Sequence, residues 1–75
     1  MNENILEGKW KQLRGSIREH WGQLTDDELD QIEGKRDKLA GLLQARYGYT
    51  ELEAEQEITA FLEEWDEKAR SVEPL

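Results

Sequence analysis

The sequence predicts an all-α fold, a small bundle of three to four helices. Three observations carry that expectation. Apolar residues recur at alternating steps of three and four along most of the chain, the period of one face of an α-helix. No stretch alternates with period two, and no Asn-Gly or Asp-Gly pair marks a strand hairpin. Three cap-forming residues each precede a Glu by three places: Asn4 with Glu7, Thr25 with Glu28, and Thr50 with Glu53. In such a box the cap oxygen accepts the third residue's N–H, and the Glu reaches back to the cap N–H. Each cap is worth roughly 1 kcal/mol.

The first helix is expected over 4–21, with Leu6, Trp10, Leu13, Ile17 and Trp21 on its apolar face and Leu24 beyond. Gly22 follows an aromatic residue and closes it, because glycine adopts the left-handed C′ conformation cheaply. The second segment covers 25–47 with Leu29, Ile32, Leu39, Leu43 and Tyr47, and Gly48 ends it. Arg36 is the one polar intruder on that face. Gly34 divides this segment into 26–32 and 35–47, which makes four helices; undivided, there are three. The third segment, 50–70, carries Ala54, Ile58, Phe61 and Trp65, and the pattern runs on to Val72. The end of the chain, 71–75 with Pro74, is expected to fray. The expected core is Leu6, Trp10, Leu13, Ile17, Trp21, Ile32, Leu39, Leu43, Tyr47, Ile58, Phe61 and Trp65.

The chain repeats itself at an offset of 26. Leu6-Glu7-Gly8-Lys9 aligns with Ile32-Glu33-Gly34-Lys35, Leu13 with Leu39, Gly15 with Gly41, and Ile17 with Leu43. Trp21-Gly22 meets Tyr47-Gly48. Residues 1–70 are therefore read as one domain with an internal two-fold repeat, about 6–24 and 32–50. The six glycines fall at intervals of seven within each copy, roughly opposite the apolar face. They form either a face that another backbone approaches or a spacing inherited from duplication; the second reading is preferred.

At 75 residues the chain is near the lower limit for a self-sufficient core. Leu, Ile, Val and Phe together make up about 21% of it, just above the level at which highly charged chains stay disordered. Without cysteine there are no disulfides, thiolate metal sites or thiol nucleophiles. The longest apolar run is three residues, Ala60-Phe61-Leu62, so no membrane insertion is expected. The start, Met-Asn-Glu-Asn, lacks the basic and apolar regions of a signal peptide, and a cytoplasmic location is expected. The net charge of −8 is lopsided: residues 1–49 are nearly balanced, whereas 50–75 hold nine acidic and two basic side chains. Long-range attraction to nucleic acid or anionic lipid is disfavoured.

No chemistry-bearing constellation stands out. Ser16 and His20, the single histidine, share a helix face, yet no orienting third group or oxyanion site accompanies them. Thr25-Asp26-Asp27-Glu28 has a calcium-loop look but lacks the loop's glycine and its distal Glu. No phosphate-cradling glycine motif occurs. Catalytic residues, cofactors and metal ligands are expected to be absent. Lys11, Arg14 and Arg18 form a basic strip at steps of three and four beside Trp10 and Trp21. Such a strip suits single-stranded nucleic acid; the acidic third segment is the more economical partner. The candidate interaction surface is Lys11, Arg14 and Arg18 with Gly8, Gly15, Gly34 and Gly41.

Linked motifs in fixed order give the chain a family likeness: Trp10-Lys11-x3-Gly15, Trp21-Gly22-x-Leu24-Thr25, Ile32-Glu33-Gly34-Lys35-Arg36-Asp37 and Tyr47-Gly48. The sequence resembles the CsbD-like family of small bacterial general stress response proteins from about residue 4 to 66. The resemblance implies two helical hairpins packed at a steep angle, and a non-enzymatic stress-response protein acting by binding or protection through a helical surface. The family defines no catalytic or cofactor residues to carry over. Ser16 stands where relatives commonly have Lys, which weakens a nucleic-acid or anionic-membrane reading. Two rivals remain: a hydrophilin-like, partly disordered protectant, and a weak nucleic-acid or anionic-surface binder using Lys11, Arg14 and Arg18. A protein partner and a monomer or weak homo-oligomer are expected.

Overall fold

The computed structural model describes the backbone of residues 3–71 and the side chains of residues 6–67. Its described part is all-α: α1 (Glu3–Gly8), α2 (Trp10–His20), α3 (Asp26–Ile32), α4 (Arg36–Tyr47) and α5 (Glu51–Ser71). Ser71 lies within α5, and the rest of the expected frayed tail, 72–75, lies outside the described residues. α1 packs along α2, α3 along α4, and α4 along α5.

Local chemistry sets most of the boundaries. Thr25 Oγ1 accepts the Glu28 N–H at 3.2 Å while Glu28 Oε1 accepts the Thr25 N–H at 3.0 Å, a complete capping box for α3. Thr50 and Glu53 make the same exchange at 3.1 and 2.8 Å and open α5. Asn4 is not a cap, because α1 already includes Glu3. Gly48 closes α4 in the left-handed conformation, with φ 71°. Gly22 does not close α2 in that way: among the described glycines only Gly34 and Gly48 have positive φ. α2 ends at His20, and Leu24 N–H donates to Trp21 O at 3.1 Å to hold the turn. Trp21 and Leu24 are both buried, so packing fixes this connection where a left-handed glycine was expected.

The continuous helix expected over 4–21 is broken at Lys9, with φ −118° and ψ 24°. Gly8 is a poor helix former, so interrupting the helix there costs little. The bend lets Leu6 on α1 and Leu13 and Ile17 on α2 all become fully enclosed. The small all-α bundle stands, and the break brings the described helices to five. The division at Gly34 falls where glycine placed it. α3 stops at Ile32, Glu33 and Gly34 take left-handed φ of 53° and 78°, and α4 starts at Arg36. A Cβ on Gly34 would sit 2.8 Å from Glu7 Cα and 3.2 Å from Leu6 O. The second Glu-Gly-Lys turn therefore lies directly on the backbone of α1.

Nine of the twelve expected core residues are buried; Trp10, Tyr47 and Trp65 instead pack half-buried at its edge. Leu24, Leu29, Ala40, Ala54 and Leu62 complete the core. Ala40 and Leu62 were not expected on the apolar face. α4 is contacted by both α3 and α5, which widens its buried arc beyond a single stripe. No polar or charged side chain is buried among the described residues.

Leu39 is fully enclosed, so Leu39→Ala should cost about 2–5 kcal/mol. That is a large share of the stability of a domain this small. Thermal denaturation followed by circular dichroism checks it, and an unchanged midpoint would contradict the packing register.

Candidate functional site

The basic strip lies where two helix ends meet. Arg18 and His20 occupy the last turn of α2, and Asp26, Asp27 and Glu28 the first turn of α3. Each set suits the dipole at its own helix end, and the short turn between them brings the two sets together. Arg18 pairs with Asp26 at 2.8 Å. Arg14 pairs with Asp30 at 2.6 Å and also donates to Asp26 O at 3.4 Å. Lys11 is exposed and makes no ion pair among the described residues. The acids that neutralise the strip thus come from α3. The acidic third segment, expected to do so, engages a different cation.

That cation is Arg36, the polar intruder of the apolar face. Its Nε donates to Glu55 Oε1 at 2.6 Å, and its second nitrogen donates to Glu55 O at 2.9 Å and to Thr59 Oγ1. The side chain is 13% exposed. At the offset of 26, Arg36 stands where the first copy has Trp10. The substitution converts an apolar edge contact into a polar clamp between α4 and α5. Glu28 makes a second tie, since the carboxylate that caps α3 also pairs with Arg46 in the last turn of α4. Tyr47 makes a third, its hydroxyl accepting the Gln23 N–H at 3.2 Å.

The four candidate glycines do not share one environment. A Cβ on Gly8, Gly15 or Gly41 would meet nothing within 4 Å, so these positions face open space. Gly34 is buried against α1. The breaks at Lys9 and Gly34 also separate Gly8 and Gly34 from the helical faces that carry Gly15 and Gly41.

His20 sits edge-on to Trp21, with ring centroids 4.6 Å apart, and tilted over Phe61 at 5.2 Å. No hydrogen bond joins it to Ser16, and both line an open groove between α2 and α5 with Glu19, Phe61, Glu64 and Trp65. Glu19 and Glu64 were outside the candidate set; the available signal was a carboxylate one or two places from an aromatic on the apolar face. Thr25-Asp26-Asp27-Glu28 is a helix cap, not a calcium loop. Among the described residues no group of three or more His, Cys, Asp or Glu could hold a metal ion. No helix there is long and apolar enough to cross a membrane.

Comparison with known proteins adds a family. The CsbD-like family model matches residues 4–56. A UPF0337 protein of Bordetella pertussis is 51% identical over 63 residues, covering 84% of this chain and 96% of the relative. One from Pseudomonas aeruginosa is 51% identical over 61 residues, 81% of this chain and 94% of the relative. The UPF0337 protein YjbJ of Escherichia coli is 52% identical over 58 residues, 77% of this chain and 84% of the relative. No solved structure matches.

Arg14→Glu with Arg18→Glu should lower stability more at low salt than at high salt, because these exposed pairs are screened over about 8–10 Å at ordinary ionic strength. Each pair is worth at most about 1 kcal/mol. Equal loss in both buffers would assign the effect to lost packing of the arginine stems. Gly15→Ala and Gly41→Ala should each stabilise the chain by roughly 0.4–1 kcal/mol, because alanine loses less backbone entropy in an open helical position. Denaturant melts of the single variants check this, and destabilisation would place these glycines in a packed interface.

Proposed function

The chain belongs to the CsbD-like family, and from that premise we propose a non-enzymatic stress-response protein of the bacterial cytoplasm that binds or shields another macromolecule through its helical surface. One observation supports a folded binder most directly: an enclosed aliphatic core lies under a surface of charged side chains. A protectant acting by hydration alone has no need of such a core. Residues 1–70 serve as one domain in this reading, with the repeat at about 6–24 and 32–50. Residues related by the offset hold matching places: Leu13 and Leu39, like Ile17 and Leu43, are fully enclosed on α2 and α4.

Of the candidate surface, Lys11, Gly8, Gly15 and Gly41 face solvent, while Arg14 and Arg18 are engaged by α3 and Gly34 is enclosed. That leaves Lys11 as the one exposed basic group of the strip without an ion pair in the described part. It favours a protein partner over nucleic acid, which is bound through many neutralised phosphates. We take the working form to be a monomer or weak homo-oligomer.

The test pairs order with survival. The isolated protein should melt cooperatively and give dispersed amide signals. A strain lacking the gene should survive stress less well, and the intact gene should restore survival. A featureless chain that still protects cells would favour the hydrophilin-like rival. Salt-sensitive retention on DNA would favour the nucleic-acid rival.

A further inference from the structure

We propose that the turn at Glu33 and Gly34 is a hinge, and that straightening it exchanges the two halves of the chain with a second copy to form a domain-swapped dimer. The proposal rests on the weak homo-oligomer reading given above and names how two copies meet. The turn joins α1–α3 to α4–α5. It holds the one non-glycine residue with positive φ among the described residues, Glu33 at 53°. A side chain in that region sets its Cβ against the following carbonyl oxygen. Glu33 therefore stores backbone strain that a right-handed helix would release.

The straight alternative is written in the same residues. Leu29, Ile32, Leu39 and Leu43 keep one helical face through the turn, and no proline interrupts 26–47. The Thr25 capping box starts either form, and left-handed Gly48 ends either form. Straightening adds helical hydrogen bonds across the turn, where the Lys35 N–H donates to Ile32 O at 3.0 Å. Against this, it gives up the close approach of Gly34 to Glu7 and places a glycine inside a helix. The closed turn and the straight helix each satisfy what the other sacrifices, so concentration can shift the balance.

A second copy is the occupant because opening leaves each half without its cover. Each half sits at or near the about 40 residues below which a chain seldom folds alone. The contacts that join the halves are complementary already. Tyr47 Oη accepts the Gln23 N–H, Arg46 pairs with Glu28, and the Phe61 ring lies 5.1 Å from Trp21. All three re-form between chains when the straight helices lie antiparallel, α3 of each along α4 of the other. No new surface is required, which makes exchange of halves a low-cost route to a dimer. A short hinge under strain invites it.

The experiment refolds equal amounts of isotope-labelled and unlabelled full chain together at millimolar concentration and isolates the dimer by size exclusion. Isotope-filtered NMR should show contacts between Trp21 of one chain and Phe61 of the other. Gly34→Ala should raise the dimerisation constant at least about tenfold, because alanine suits the straight helix and does not fit the closed turn. Glu33→Gly should lower it about tenfold, since glycine accepts the left-handed turn and disfavours the helix. Gly48→Ala carries the same left-handed penalty at a position both forms share, and should leave the constant within about twofold. A rise at Gly48→Ala equal to that at Gly34→Ala would reduce the effect to general destabilisation and overturn the hinge. A dimer whose Trp21–Phe61 contacts stay within one chain would overturn the exchange and leave the homo-oligomer reading standing. Monomer alone, in the native chain and in Gly34→Ala, would overturn both.

Discussion

Gly34 and the backbone of α1 approach so closely that no methyl group fits between them. The residue takes a left-handed φ of 78°, and its missing Cβ would stand 2.8 Å from Glu7 Cα. Several elements depend on this contact. Glu33 and Gly34 reverse the chain between α3 and α4, so that Ile32 and Leu39 both enter the core. The turn then supports the end of α1, where Leu6 is fully enclosed. Two residues beyond it, Arg36 clamps α4 to Glu55 and Thr59 of α5. One short turn thus sets the relation of four helices.

The surface follows from how the helix ends are satisfied. Acids gather at the starts of α3 and α5, where they cap the helices and suit their dipoles. At α3 Asp26 also pairs with Arg18 and Glu28 reaches Arg46, while Asp30 further along the helix holds Arg14. The four arginines of the first half are each paired within the fold, whereas its four lysines stay exposed. Along the later turns of α5, Glu64 borders a groove that Phe61 and Trp65 also line. The asymmetry of charge along the chain thus becomes an asymmetry of surface.

Much of the architecture was legible because it is local. Thr25 with Glu28 and Thr50 with Glu53 need only their spacing to form boxes, and Gly48 needs only its own freedom of φ. The features that were not legible depend on distant contacts. Gly8 and Gly34 occupy equivalent places in the repeat, yet Gly8 ends α1 without a positive φ and only Gly34 meets another backbone. Gly22 was expected to act like Gly48, but burial of Trp21 and Leu24 shapes its turn instead. Ala40 became core because α4 has neighbours on two sides. The acidic partner of the basic strip was misassigned because α5 holds the larger charge, whereas α3 holds the nearer one. Proximity outweighs total charge at these separations, since screening removes most of the longer-range attraction.

Close approach at Gly34, and not only its backbone conformation, holds the bundle together. Comparing Gly34→Ala with Gly48→Ala in the same denaturant melt separates the two causes. Both glycines have left-handed φ, 78° and 71°, but a Cβ at Gly48 meets nothing within 4 Å. An L-residue in that conformation costs roughly 1–2 kcal/mol, and that should be the whole loss at Gly48. At Gly34 the clash with Glu7 should add about 1–3 kcal/mol. The loss at Gly34 should be clearly larger, and equal losses at the two positions would leave backbone conformation as the whole cause.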